Sequence, residues 1–152
     1  MLRKLTHTPN DYVLTMMRLI LGAVFFAHGA QKMLGWFGGY GFSGTISSFE
    51  KMGMPAALAF LIIFTEFFGS LGLIFGLLSR LAGVGITALM LGAIAMVHLK
   101  FGFFMNWFGN QPGEGFEYHL LAIALALAIA VRGAGALSID RAIAGDTASP
   151  KV

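Results

Sequence analysis

The chain has 152 residues, 57% of them apolar and only 11% charged, with no cysteine and a net charge of +3. An ordinary soluble domain keeps about 25% charged residues to wet its surface, so this composition excludes a water-exposed enzyme and makes lipid the natural solvent. The ten Lys and Arg residues form no stripe, which excludes a nucleic-acid interface, and the lack of cysteine excludes thiol relays, disulfides, Cys-ligated zinc and iron–sulfur clusters within this chain.

A membrane-spanning helix needs about 20 mostly apolar residues, and four segments approach that length. The first covers residues 12–34, with Asn10 and Asp11 placed to cap it. Its basic start and apolar run resemble a signal peptide, but Gln31 and Lys32 follow at once, so an uncleaved first helix is the better reading. Residues 35–54 form a loop rich in aromatics and glycine, including Trp36, followed by a short amphipathic stretch with Ile46, Phe49 and Met52 on one face.

The second helix covers 55–78 and opens on Pro55, a good first helical residue. A turn of only Ser79-Arg80 makes it an antiparallel neighbour of the third, residues 81–100, which carries no ionisable group of its own before His98. A second aromatic loop, 101–115, holds Phe104 and Trp107. The fourth helix, 116–132, is the shortest, and its first turn is polar with Glu117, Tyr118 and His119. Residues 56–63 and 81–97 show almost no polar stripe, unlike the helices of a soluble bundle. The expected fold is all-α: one integral-membrane domain over 1–152, a four-helix bundle with a short inner turn, two aromatic-rich outer loops and a cytoplasmic tail at 133–152.

Orientation follows from the cations. Arg3, Lys4, Arg18, Arg80, Arg132, Arg141 and Lys151 fall on one side, and Lys32, Lys51 and Lys100 on the other. The positive-inside rule then places both termini in the cytoplasm.

Ionisable groups in hydrocarbon are costly, roughly 2.5–3.5 kcal/mol each on insertion scales, and need a partner or a purpose. His28 and Lys32 share a helix face at spacing i, i+4. With His98, Glu117 and His119 they converge on the outer half. Glu66 lies deeper, about 16 Å below Pro55 at 1.5 Å per residue, and should meet a base from a neighbouring helix. Arg18 would reach the inner face, a backbone carbonyl or Glu66. The plain reading of the aromatic loops is an interfacial belt; the sharper one is a cover over a ligand cavity. Histidine and carboxylate groups beside apolar, aromatic surroundings suit a quinone, whose carbonyls need hydrogen-bond donors. Haem or zinc are the less favoured alternatives, and no metal site is expected.

These residues carry a family likeness. The run Arg18…Gly22…Phe25…His28-Gly29-Ala30-Gln31-Lys32, the glutamate-and-glycine helix from Glu66 to Arg80, Met96-Val97-His98 with Phe101-Gly102-Phe103, and Gly115-Phe116-Glu117-Tyr118 with Gly135-Ala136-Leu137-Ser138-Ile139-Asp140 resemble the DoxX family of small bacterial membrane proteins. The resemblance spans about residues 15–141. It implies a four-helix inner-membrane protein described as an oxidoreductase, some relatives being subunits of a thiosulfate:quinone oxidoreductase. With no cysteine, a dithiol mechanism of the vitamin K epoxide reductase kind is not open to this chain.

The expected function is therefore a quinone-linked oxidoreductase subunit that receives electrons from a partner protein. His28, Glu66, His98, Glu117 and His119 would act on protons, while Gln31, Lys32, Trp36, Phe104, Trp107 and Tyr118 would hold the quinone. The alternatives are a non-enzymatic membrane anchor or assembly scaffold, and a small-molecule or ion conduit; a homo-oligomer is open under each.

Overall fold

A computed structural model of the chain describes residues 5–145. Among them there are helices and turns and no strand. Helix α1 (Tyr12–Leu34) leads through a single turn at Trp36–Gly38 to the short α2 (Gly41–Lys51); α3 (Ala56–Phe75) and α4 (Ser79–Ala93) follow. Helix α4 continues as a π-helical turn (Ile94–His98) and a tight turn (Leu99–Phe101) before the second long loop. Helices α5 (Glu117–Arg132) and α6 (Ile139–Ala144) complete the described residues.

Local chemistry sets the helix ends. The Asp11 carboxylate accepts from the backbone N–H of Val13 at 2.8 Å and Leu14 at 3.1 Å, capping α1, and Gly35 closes the helix in the left-handed conformation. The turn between α3 and α4 falls at residues 76–78, so Ser79 and Arg80 begin α4 and do not form the turn expected from sequence. Leu78 is held at φ +50°, a strained value for a residue with a side chain. The carboxylate of Asp140, from α6, accepts from the N–H of Leu78 and of Ser79 at 2.7 and 2.9 Å and pins that turn.

The bundle exposes large apolar side chains on its outside and buries charged and polar ones within its apolar core, which is the arrangement of a membrane protein. Phe60, Leu61, Phe64 and Phe68 of α3 and Leu81, Val84 and Leu91 of α4 face outward, whereas Arg18, Glu66, Ser70 and His119 are buried. Three helical stretches are long and apolar enough to cross a bilayer: Tyr12–Leu34, Ala56–Phe75 and Ser79–Phe101. Helix α5 packs against α4 and α1 as the fourth member. Its 16 residues span only about 24 Å, less than the roughly 30 Å hydrocarbon core. Four helices build the bundle; three reach spanning length by themselves.

Small residues let the helices approach. A Cβ at Gly29 of α1 would lie 2.7 Å from the Phe67 Cα of α3, and one at Gly83 of α4 would lie 2.6 Å from the Ala126 carbonyl oxygen of α5. Without a strong hydrophobic force between helices in lipid, such close backbone packing is what holds them. Gly29→Ala is expected to force α1 away from α3 and to destabilise the protein by about 1–3 kcal/mol. Thermal unfolding in detergent micelles measures this; an unchanged midpoint would show that the contact is slack.

Two ends of the bundle differ. The loop end carries residues 35–54 and 101–115. The opposite, terminal end carries the 76–78 turn, residues 5–11 and residues 133–144. There the segment expected to be a tail is packed down: Ala134 and Ala136 are buried, the Ala136 N–H donates to the Asp11 carbonyl, and the Asp140 N–H to that of Gly76. Residues 1–4 and 146–152, which contain Arg3, Lys4 and Lys151 of the charge count, lie outside the described residues.

Candidate functional site

The site begins with the close crossing of α1 and α3. One helical turn separates His28 from Lys32 on α1, and Gly29 brings that face against the backbone at Glu66 and Phe67. The Lys32 ammonium consequently reaches the Glu66 carboxylate, with Nζ 2.5 Å from Oε2. Glu66 is only 5% exposed and the Lys32 side chain 24% exposed, so the pair lies inside the bundle with its cationic side toward the loop end. Lys32 is the neighbouring base that Glu66 was expected to find.

Aromatic and imidazole rings extend this pair across the bundle. His28 of α1 lies within electrostatic reach of Lys32 and Glu66, and its ring centroid is 6.5 Å from that of Tyr118 on α5. Tyr118 is 5.5 Å from His119, and His119 is 4.1 Å from His98. The π-helical turn carries His98 at its last position, next to α5; such insertions occur often at functional sites. The His98 Nδ1 lies 2.8 Å from the Glu114 carbonyl oxygen. A carbonyl only accepts, so Nδ1 carries the proton and Nε2 is left with the lone pair.

Six of the expected site residues are thus gathered from four helices: His28, Lys32, Glu66, His98, Tyr118 and His119. Two buried polar atoms in this group, the Tyr118 hydroxyl oxygen and His119 Nδ1, have no hydrogen-bond partner within the protein. Buried polar atoms are nearly always paired, so these two orphans on successive residues of α5 call for a polar partner from outside the chain.

The remaining site residues lie elsewhere. The Glu117 carboxylate turns to the loop and accepts from the Met105 N–H at 3.2 Å. Gln31 donates to the Phe37 carbonyl at 3.3 Å and braces the turn after α1. Trp36 packs edge-on against Phe26 and Phe37, while Phe104 and Trp107 point outward, Trp107 at 76% exposure. The loop aromatics therefore face the surroundings and not the polar cluster. Arg18 does not meet Glu66 either: it donates to the carbonyls of Leu73 and Ile74 at the end of α3 and to those of Ala134 and Leu137 at the terminal end. The Glu114 carbonyl and the π-helical turn have no signature in residue type, and Asp140 stood out only as part of the family-like run 135–140.

Among the described residues no group of three or more His, Asp or Glu side chains gathers as for a metal ion. The His98 and His119 rings, at 4.1 Å, are too close to admit a porphyrin between them.

A curated relative from Bacillus subtilis (strain 168), named "Putative oxidoreductase CatD", is 36% identical over 91 residues. The alignment covers 60% of this chain and 63% of the relative, so the chain matches less than two thirds of that protein's length. No solved structure matches it. The DoxX family model matches residues 13–99, more than half of the chain, a stretch that contains His28, Lys32, Glu66 and His98 and stops before Tyr118 and His119. With that match over the helices that carry the buried ion pair, the chain belongs to the DoxX family of membrane proteins.

Proposed function

We propose that this protein is a quinone-linked subunit of a membrane oxidoreductase, receiving electrons through a partner protein. The observation that carries the reading is the pair of unpartnered buried atoms, Tyr118 Oη and His119 Nδ1, with Tyr118 in electrostatic reach of the Glu66 that pairs with Lys32. Quinone carbonyls accept hydrogen bonds and the ring is flat and apolar, so these donors and the neighbouring imidazole and phenol faces suit it in polarity. A bound quinone supplies reversible redox chemistry that no side chain of a cysteine-free chain offers. The protein's own part is to orient it: Tyr118 and His119 donate, while His28, Glu66 and His98 hold or pass protons nearby. The relative's printed name, an oxidoreductase, is in keeping with this. The excess of cations at the terminal end supports that end facing the cytoplasm of a bacterial inner membrane.

Solvent extraction of the purified protein, followed by chromatography, tests the proposal. Quinone is expected in near-stoichiometric amount. Tyr118→Phe combined with His119→Phe is expected to lower it about tenfold or more, the equivalent of one to two hydrogen bonds. Quinone-free protein, or full retention in the double variant, would sink the idea. A quinone-free chain that also tolerates joint loss of His28, Glu66 and His98 would support an anchor or scaffold instead.

A further inference from the structure

We propose that the polar cluster exchanges protons with water from the loop end of the bundle alone, with His98 as the point of entry. This deepens the quinone reading, and rests on it for the use of the protons but not for their route.

Three layers along the bundle carry the inference. At the loop end the titratable side chains form a row of neighbouring rings, His98, His119, Tyr118 and His28, with successive centroids 4.1, 5.5 and 6.5 Å apart, and Lys32 and Glu66 lie at its end. His98 is half-buried on the edge of the 101–115 loop, so it touches both that series and the surroundings. Its Nδ1–H is committed to the Glu114 carbonyl, which leaves Nε2 to take a proton from water. Transfer of that proton to the neighbouring His119 imidazole returns His98 to its neutral form and leaves the charge on His119. Among the described residues Lys32 and His28 from α1 and Tyr118 from α5 lie within electrostatic reach of Glu66, and His119 of α5 and His98 from the end of α4 follow beyond Tyr118.

Below it lies a dry layer. Leu21 and Phe25 of α1, Leu73 of α3, Ile86 and Met90 of α4, and Ala126 and Ile129 of α5 form one buried cluster with no ionisable member. A proton crossing it would stand in hydrocarbon without a partner, the situation that membranes penalise most.

The terminal end is closed by a third layer. Arg18 is committed to the carbonyls of Leu73, Ile74, Ala134 and Leu137, and Asp140 to the N–H groups of Leu78 and Ser79. Arg80 is bound to the carbonyls of Ala130, Val131 and His7. The helix-end carbonyls and N–H groups named here are thereby satisfied by protein, while the buried Ser79 hydroxyl has no hydrogen-bond partner within it.

The chain has four histidines, and His7 is the one outside the cluster, at the terminal end. This makes histidine a reporter of sidedness. The full chain with His7→Gln, carrying isotope-labelled histidine, is placed in vesicles in one orientation, checked by protease clipping of a C-terminal tag. Infrared difference spectra then follow the imidazole bands after a pH jump applied to one side. The expected result is a response to a jump on the loop side, and none to a jump on the terminal side until an ionophore collapses the gradient. His98→Gln is expected to slow the response about tenfold or more, as for loss of a positioned proton carrier. A response to the terminal side, an equal response to both, imidazoles silent to both, or an unchanged rate in His98→Gln would overturn the proposal. No quinone is added, so a quinone-free preparation can still show one-sided exchange, and the two readings fail separately.

Discussion

Arg18→Ala is expected to leave the protein unable to hold a stable bundle in mild detergent, with a loss of about 4 kcal/mol or more. Arg18 is 1% exposed, and its guanidinium is the shared donor for carbonyls at the end of α3 and in the segment after α5. Removing it strands several buried acceptors at once, and each stranded group carries its own desolvation penalty of about 1–3 kcal/mol. It also releases the segment that presents Asp140 to the strained turn at Leu78. Arg18→Lys keeps the charge but offers a compact ammonium in place of a flat fork, so an intermediate loss of about 2 kcal/mol is expected. Helicity followed during titration with a denaturing detergent measures both. A stability for Arg18→Ala within about 1 kcal/mol of the parent would mean that water reaches those carbonyls.

The second large effect is at the Lys32–Glu66 pair, and its signature is non-additivity. Either Lys32→Met or Glu66→Leu alone leaves a charge inside the bundle without its partner, a change expected to cost about 3 kcal/mol. The double variant replaces the pair with apolar side chains of similar bulk. It is expected to return to within about 1 kcal/mol of the parent, because an isolated buried pair recovers little more than its desolvation. A double-mutant cycle on the same unfolding curves reads the coupling directly. Additive losses would show that the two side chains act separately, which would also remove the centre of the proposed site.

Much of the candidate site could be read from residue types and depth. Charged or imidazole groups inside apolar helices are few and conspicuous, so Glu66 stood out as a deeper residue in need of a base from a neighbouring helix, and His28, Lys32, His98 and His119 stood out near the loop end. Glu117 shared that depth, yet its carboxylate faces the loop backbone at Met105. Depth is a property of position along a helix, whereas direction depends on rotation, which neighbouring helices set. The loop aromatics Phe104 and Trp107 were open to two readings for the same reason: an aromatic ring at an interface satisfies a belt or a cover equally well, and here both rings face outward.

By itself the sequence determined the solvent of this protein and the rough limits of its helices. Charge scarcity and apolar runs of about 20 residues leave no other stable arrangement, since backbone groups in lipid must be bonded within their own helix. Tertiary structure decided which buried groups meet. The pairing of Lys32 with Glu66 needs Gly29 at the helix crossing, the contact of His98 with His119 comes with a π-helical turn, and the commitment of Arg18 needs residues 134–137 folded back beneath the bundle. Each depends on packing between segments far apart in the chain, where fractions of an ångström decide the outcome and local residue preference carries no information.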